Sequence, residues 1–185
     1  MFELLKDINH RNTLKKLGKM PRRKQIANWK EVETIGIVFE MGSEADWNVI
    51  MEFCGEMKKQ GKMVNLIGLQ PKKLEMSYII AMERTLICRE KEDTNLWGNP
   101  KDKVIADFVD KNYDVLIDMT RYPNYFGQYI SLRGKAKLKI VQIDKLVEKS
   151  DAVATAYDMI IESEGEMKAK DYLSQVVNYL SMIKK

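Results

Sequence analysis

The stretch 112–123, NYDVLIDMTRYP, constrains the chain more than any other. Val115, Leu116 and Ile117 are apolar without alternation, the pattern of a strand covered on both faces in a parallel sheet. The run breaks at Asp118, Thr120 and Arg121 and turns at Pro123. In open α/β sheets ligands bind beyond the carboxyl ends of such strands. These three polar residues therefore stand where chemistry is expected.

Strand and helix patterns alternate along the rest of the chain. The run 35–39 (IGIVF) reads as a strand. Ser43 then caps a helix, with Asp46 three residues on in the capping-box position. Trp47, Ile50, Phe53, Cys54 and Met57 recur at helical spacing, Gly61 closes the helix, and 64–69 resumes a strand. This is a β-α-β unit. Short strands at 78–81 and 86–88, a loop over 90–95 and a helix over 101–111 follow. A strand at 113–119, a helix at 124–136 and a strand at 138–143 come next. After a polar segment around 145–156, a strand at 157–161 and a helix from about 166 complete the pattern. That last helix buries Tyr172, Leu173, Val176, Val177 and Leu180. The expected class is α/β, a three-layer, mainly parallel, Rossmann-like sheet of five or six strands. It is expected to form one domain over 31–185, preceded by a basic helical arm over 1–30.

At 185 residues such a domain buries a core without disulfides or metal. Two cysteines and no secretory or membrane-spanning segment point to a cytoplasmic protein. The net charge of +4 is uneven: residues 1–30 hold nine Lys and Arg against two acids, the rest 22 against 25. Lys15, Lys16, Lys19, Arg22, Arg23 and Lys24 make a dense basic patch on that arm. Three readings fit it. Its cations can meet nucleic-acid phosphates. It can lie on an anionic membrane with Phe2, Leu4, Leu5 and Ile8 inserted. Or the helix, whose apolar face is Leu4, Leu5 and Ile8, docks on its own domain with a solvated basic face.

The chemistry-bearing residues are few. His10 is the only histidine and Cys54 and Cys88 fall at apolar positions, so neither a zinc site nor a Ser-His-Asp triad is expected. No metal or cofactor is expected, since neither G-x-G-x-x-G nor G-x-x-x-x-G-K-[ST] occurs. The nearest phosphate loop, EMGSE at 40–44, sets Glu40 and Glu44 where a phosphate would sit, which favours plain helix capping by Ser43. The best cluster is Asp118, Thr120 and Arg121. Asp118 would accept from a ribose or sugar hydroxyl and Arg121 would clamp an anion. Set against this, Asp and Thr after a strand commonly cap the next helix. Glu40, Ser43 and Gln142 are neighbours of the cluster if their strands are adjacent.

Three patches carry a resemblance: DTNLWGNPK at 93–101, YDVLIDM at 113–119 and AKLKI at 136–140. With the basic first helix and YDMI at 157–160, they resemble a family of small Bacteroides-type proteins known only as a domain of unknown function. The resemblance spans roughly 1–180 and implies no activity or catalytic residues. A weaker likeness is to the nucleotide-binding half of GT-B glycosyltransferases, at the level of fold alone. The leading expectation is a binding protein for a small anionic or nucleotide-like ligand, or a protein partner, at the carboxyl rim of the sheet. The alternatives are a transferase using a nucleotide-sugar-like donor and a nucleic-acid-associated protein working through the basic arm.

Overall fold

The computed structural model describes residues 2–72, 84–147, 155–165 and 167–183. The chain forms α1 (Phe2–Gly18), β1 (Thr34–Glu40), α2 (Glu44–Lys59), β2 (Met63–Gln70) and β3 (Thr85–Arg89). There follow α3 (Asp102–Val109), β4 (Asn112–Asp118), α4 (Tyr125–Arg133), β5 (Lys135–Asp144), β6 (Met159–Ser163) and α5 (Ala169–Met182). The six strands make one sheet in the order β3-β2-β1-β4-β5-β6, and every pairing is parallel. This is the strand order of doubly wound dinucleotide-binding folds.

Strand alternation sorts the core into two layers. Ile35, Ile37, Val115, Ile117 and Ile140 face α2 and α5, meeting Trp47, Ile50, Met57, Tyr172 and Val176. Val38, Ile67 and Leu116 face the other way, against Ile105 and Phe108 of α3 and Phe126 and Ile130 of α4. Because both faces are covered, the central strands are apolar at consecutive positions. Gly36 makes room for this packing: a Cβ there would sit 2.7 Å from Leu116 Cδ1.

The first helix packs on the domain, but not by the apolar face read at Leu4, Leu5 and Ile8. Those side chains are 61%, 49% and 44% exposed, whereas Leu14 is buried, and Leu17 partly so, against the α3–α4 layer. The His10 ring stacks on Tyr125 at 3.5 Å, and its Nε2–H donates to the Trp97 carbonyl at 2.6 Å. The basic segment beyond α1 is also tied down. Arg22 pairs with Asp158 and donates to the Ala136 carbonyl, Lys24 lies 3.2 Å from Asp158, and the Gln25 N–H donates to the Lys137 carbonyl.

Several boundaries also shift. The helix at α4 ends at Arg133 because 135–136 pair with 112–113 of β4, lengthening β5 at the expense of the helix. The last strand begins at Met159, where pairing with Ile140 starts, leaving Tyr157 buried just ahead of it. The strand expected at 78–81 lies outside the described residues. Among the described residues no helix is long and apolar enough to cross a membrane.

Asp114 anchors the amino end of the sheet. It accepts from the backbone N–H groups of Glu33 and Thr34, each at 2.9 Å, and from Lys137 Nζ at 2.7 Å. Burial pushes its carboxyl up, but the hydrogen bonds from Lys137, Glu33 and Thr34 outweigh that and hold its pKa at about 2. Its stabilising contribution is therefore complete above the unfolded value of about 3.9 and is lost as pH falls toward the folded one. Asp114→Ala is expected to cost about 1–3 kcal/mol at pH 7 in urea unfolding. The gap to the parent protein should narrow as pH drops from about 4 toward 2.

Candidate functional site

Strands β1 and β4 lie side by side, with Val38 opposite Asp118. The helices that follow them, α2 and α4, pack on opposite faces of the sheet. The strand order reverses here, and a crevice opens between the two carboxyl ends, the place where ligands bind in such sheets. The crevice is a cavity of about 460 Å³. All six residues singled out from the sequence, Glu40, Ser43, Asp118, Thr120, Arg121 and Gln142, line it.

Their roles differ. Ser43 is the N-cap of α2: its Oγ accepts from the Asp46 N–H at 3.1 Å and donates to the Asp46 carboxylate at 2.8 Å. Glu40 accepts from Asn124 Nδ2 at 2.5 Å. Gln142 donates to the Ser163 hydroxyl at 2.6 Å, binding β5 to the end of β6. Arg121 adopts a left-handed backbone, φ 52°, and its guanidinium lies 3.8 Å from the Asp46 carboxylate. Both partners are exposed, so that pair adds little stability.

Asp118 is only 2% exposed, and both its oxygens are engaged. Oδ1 accepts from the Thr120 N–H at 2.8 Å and the Thr120 hydroxyl at 2.6 Å. Oδ2 accepts from the Tyr157 hydroxyl. Burial pushes the Asp118 pKa up, while the hydrogen bonds from Thr120 and Tyr157 pull it down without overcoming the burial. Burial and the neighbouring Asp118 carboxylate raise the Tyr157 hydroxyl well above its ordinary value, so the proton stays on tyrosine. Asp118 and Thr120 thus shape the wall of the cavity.

Three lining residues escaped the sequence reading. Asn124 is the N-cap of α4, its Oδ1 accepting from the Gly127 N–H at 3.1 Å. Asp46 was visible only as a capping residue. Tyr172 was visible only as core, in the buried face of the last helix. It is 3% exposed, it lines the cavity, and among the described residues its hydroxyl has no hydrogen-bond partner. A buried hydroxyl without a partner costs about 1–3 kcal/mol. Phe39, Met41, Met119 and Met167 supply an apolar surface beside these polar groups.

Other chemistry has less to build on. Among the described residues no group of three or more His, Cys, Asp or Glu is arranged to hold a metal ion. Burial pushes the Cys54 thiol up to about 11 and, with the Asp93 charge adding to it, the Cys88 thiol up to about 12. Neither is a ready thiolate.

The first turn of α4 lies against the Asp118 carboxyl group. A Cβ at Gly127 would fall 2.0 Å from Thr120 Oγ1 and 2.4 Å and 2.8 Å from the two carboxylate oxygens. Gly127→Ala is expected to destabilise the fold by about 1–3 kcal/mol, measured by urea unfolding. A control substitution at Gly55, which has nothing within 4 Å, should leave stability unchanged or slightly raised.

A family model of DUF6913, a family of unknown function, matches residues 6–183, and the chain belongs to that family. The match establishes the family and says nothing of a source organism or of a glycosyltransferase. Neither the curated proteins nor the solved structures contain a match to the chain.

Proposed function

We propose that this member of DUF6913 binds a small hydroxyl-bearing ligand of nucleoside type in the crevice between β1 and β4. The observation that carries this reading is Tyr172, a buried hydroxyl without a partner in the wall of a cavity at the reversal of strand order. A ligand acceptor would satisfy it. The cavity volume of about 460 Å³ suits a molecule of that size. A flat ring would rest on Phe39 and the methionines, and sugar hydroxyls would donate to Glu40 and Asp46. Asp118 and Thr120 would support the wall, and Ser43, Arg121, Asn124 and Gln142 would complete the rim.

The charge pattern refines the expectation of an anionic ligand. Among the described residues Arg121 is the single cation lining the crevice, against Glu40, Asp46 and Asp118. Arg121 is also already beside Asp46. Repulsion from these carboxylates disfavours a ligand with several phosphates. Group transfer has less support for the same reason: Arg121 would have to leave Asp46 to stabilise a departing phosphate, and Asp118 has no oxygen spare to act as a base. A cytoplasmic location belongs to this reading, supported by two free cysteines.

Isothermal titration with adenosine, guanosine, cytidine and uridine, each alongside its triphosphate, tests the proposal. At least one nucleoside should bind, more tightly than its triphosphate. Tyr172→Phe should weaken that binding about tenfold while leaving the thermal midpoint equal or higher, because it deletes an unsatisfied buried group. Absence of binding by every nucleoside, or Tyr172→Phe binding as the parent does, would sink the reading.

A further inference from the structure

The outward side of α1 is unusual for a helix packed on a soluble fold. Its inward side is spent on His10, Leu14 and Leu17. Leu4, Leu5 and Ile8 point away and are about half exposed or more. A second segment, remote in sequence, flanks the start of the helix. The Phe2 ring stacks on Trp97 at 6.1 Å, and the adjoining Leu96 is 73% exposed. Leu4, Leu5 and Ile8 thus form a run of large apolar side chains left uncovered on one side of the helix, and such patches mark interaction surfaces.

That surface continues into positive charge. At 3.6 residues per turn, Leu4, Ile8, Arg11 and Lys15 lie within an arc of about 60° on α1. The side chains of Arg11, Lys15, Lys16, Lys19 and Arg23 make no ion pair or hydrogen bond among the described residues, unlike those of Arg22 and Lys24, which hold Asp158. Like charges four residues apart, as at Arg11 and Lys15, weaken a helix rather than support it. Glu3 and Asp7 are the only acids on the helix, both in its first two turns.

We propose that this face of α1 docks on an anionic lipid bilayer. Leu4, Leu5 and Ile8 enter the interfacial layer, while Arg11, Lys15, Lys16, Lys19 and Arg23 meet the headgroups. Apolar residues beside a cationic stripe are the composition of helices that lie in a membrane surface, and basic side chains are drawn to anionic lipid within a Debye length. A nucleic-acid backbone would match the cations but leave the exposed leucines and isoleucine unused. A protein partner with an apolar patch would leave the cations unused.

Sedimentation of the full chain with vesicles tests this, using pure phosphatidylcholine and phosphatidylcholine containing about one third phosphatidylglycerol. Binding should favour the anionic vesicles by about tenfold or more and fall as salt is raised. The pair Lys15→Glu and Lys19→Glu, and separately the pair Leu4→Ser and Ile8→Ser, should each reduce partitioning about tenfold or more. These positions are exposed, so circular dichroism and the melting curve should not change. Equal binding to both vesicles, no binding to either, or charge-reversed protein that partitions normally would overturn the proposal. So would vesicle-independent binding of single-stranded RNA, or self-association abolished by the Leu4→Ser and Ile8→Ser pair.

Discussion

The geometry of the candidate site depends on one buried carboxyl group. Asp118 ends β4, holds the following turn through both the backbone and the hydroxyl of Thr120, and takes the Tyr157 hydroxyl from the segment ahead of β6. The first turn of α4 closes against it, tolerating nothing larger than glycine at position 127. A carboxyl group removed from water is costly unless its oxygens are filled. Here three donors fill them, so the end of β4, the start of α4 and the approach to β6 are held in one arrangement. The crevice beside β1 is the space that this arrangement leaves open.

Much of the architecture could be read from residue order. The consecutive apolar positions of β1, β2 and β4 reflect a sheet covered on both sides, and that pattern is local. Ser43 with Asp46 marked the start of α2 for the same reason, since capping involves residues only three apart. The six rim candidates came together because parallel strands deliver all their carboxyl ends to one edge. What each does there was not legible. The partners that decide the role of Asp118, and the position of Tyr172, come from elements far along the chain. Tyr172 looked like core because core and cavity wall share the same helical spacing.

The inward face of the first helix was not legible for a different physical reason. It carries apolar residues on two sides, Leu4, Leu5 and Ile8 on one and Leu14 and Leu17 on the other, and periodicity alone does not choose between them. The choice is made by His10, which stacks on Tyr125 and donates to Trp97, residues that only the fold brings near. The stretch 93–101 has a clear structural task in this. Asn95 accepts from the N–H groups of Trp97 and Asn99, Asn99 accepts from the Tyr125 hydroxyl at 2.5 Å, and Thr94 bridges to Pro100. This patch thus builds the seat of α1, and none of its residues lines the crevice.

A double-mutant cycle on Asp118→Ala and Tyr157→Phe, followed by urea unfolding, tests most directly whether the buried carboxyl group organises this edge of the sheet. The two substitutions are expected to be strongly non-additive, with a coupling of about 1–3 kcal/mol. Additivity within about 0.5 kcal/mol would contradict it, because the hydroxyl and the carboxylate would then be neighbours without being an anchor.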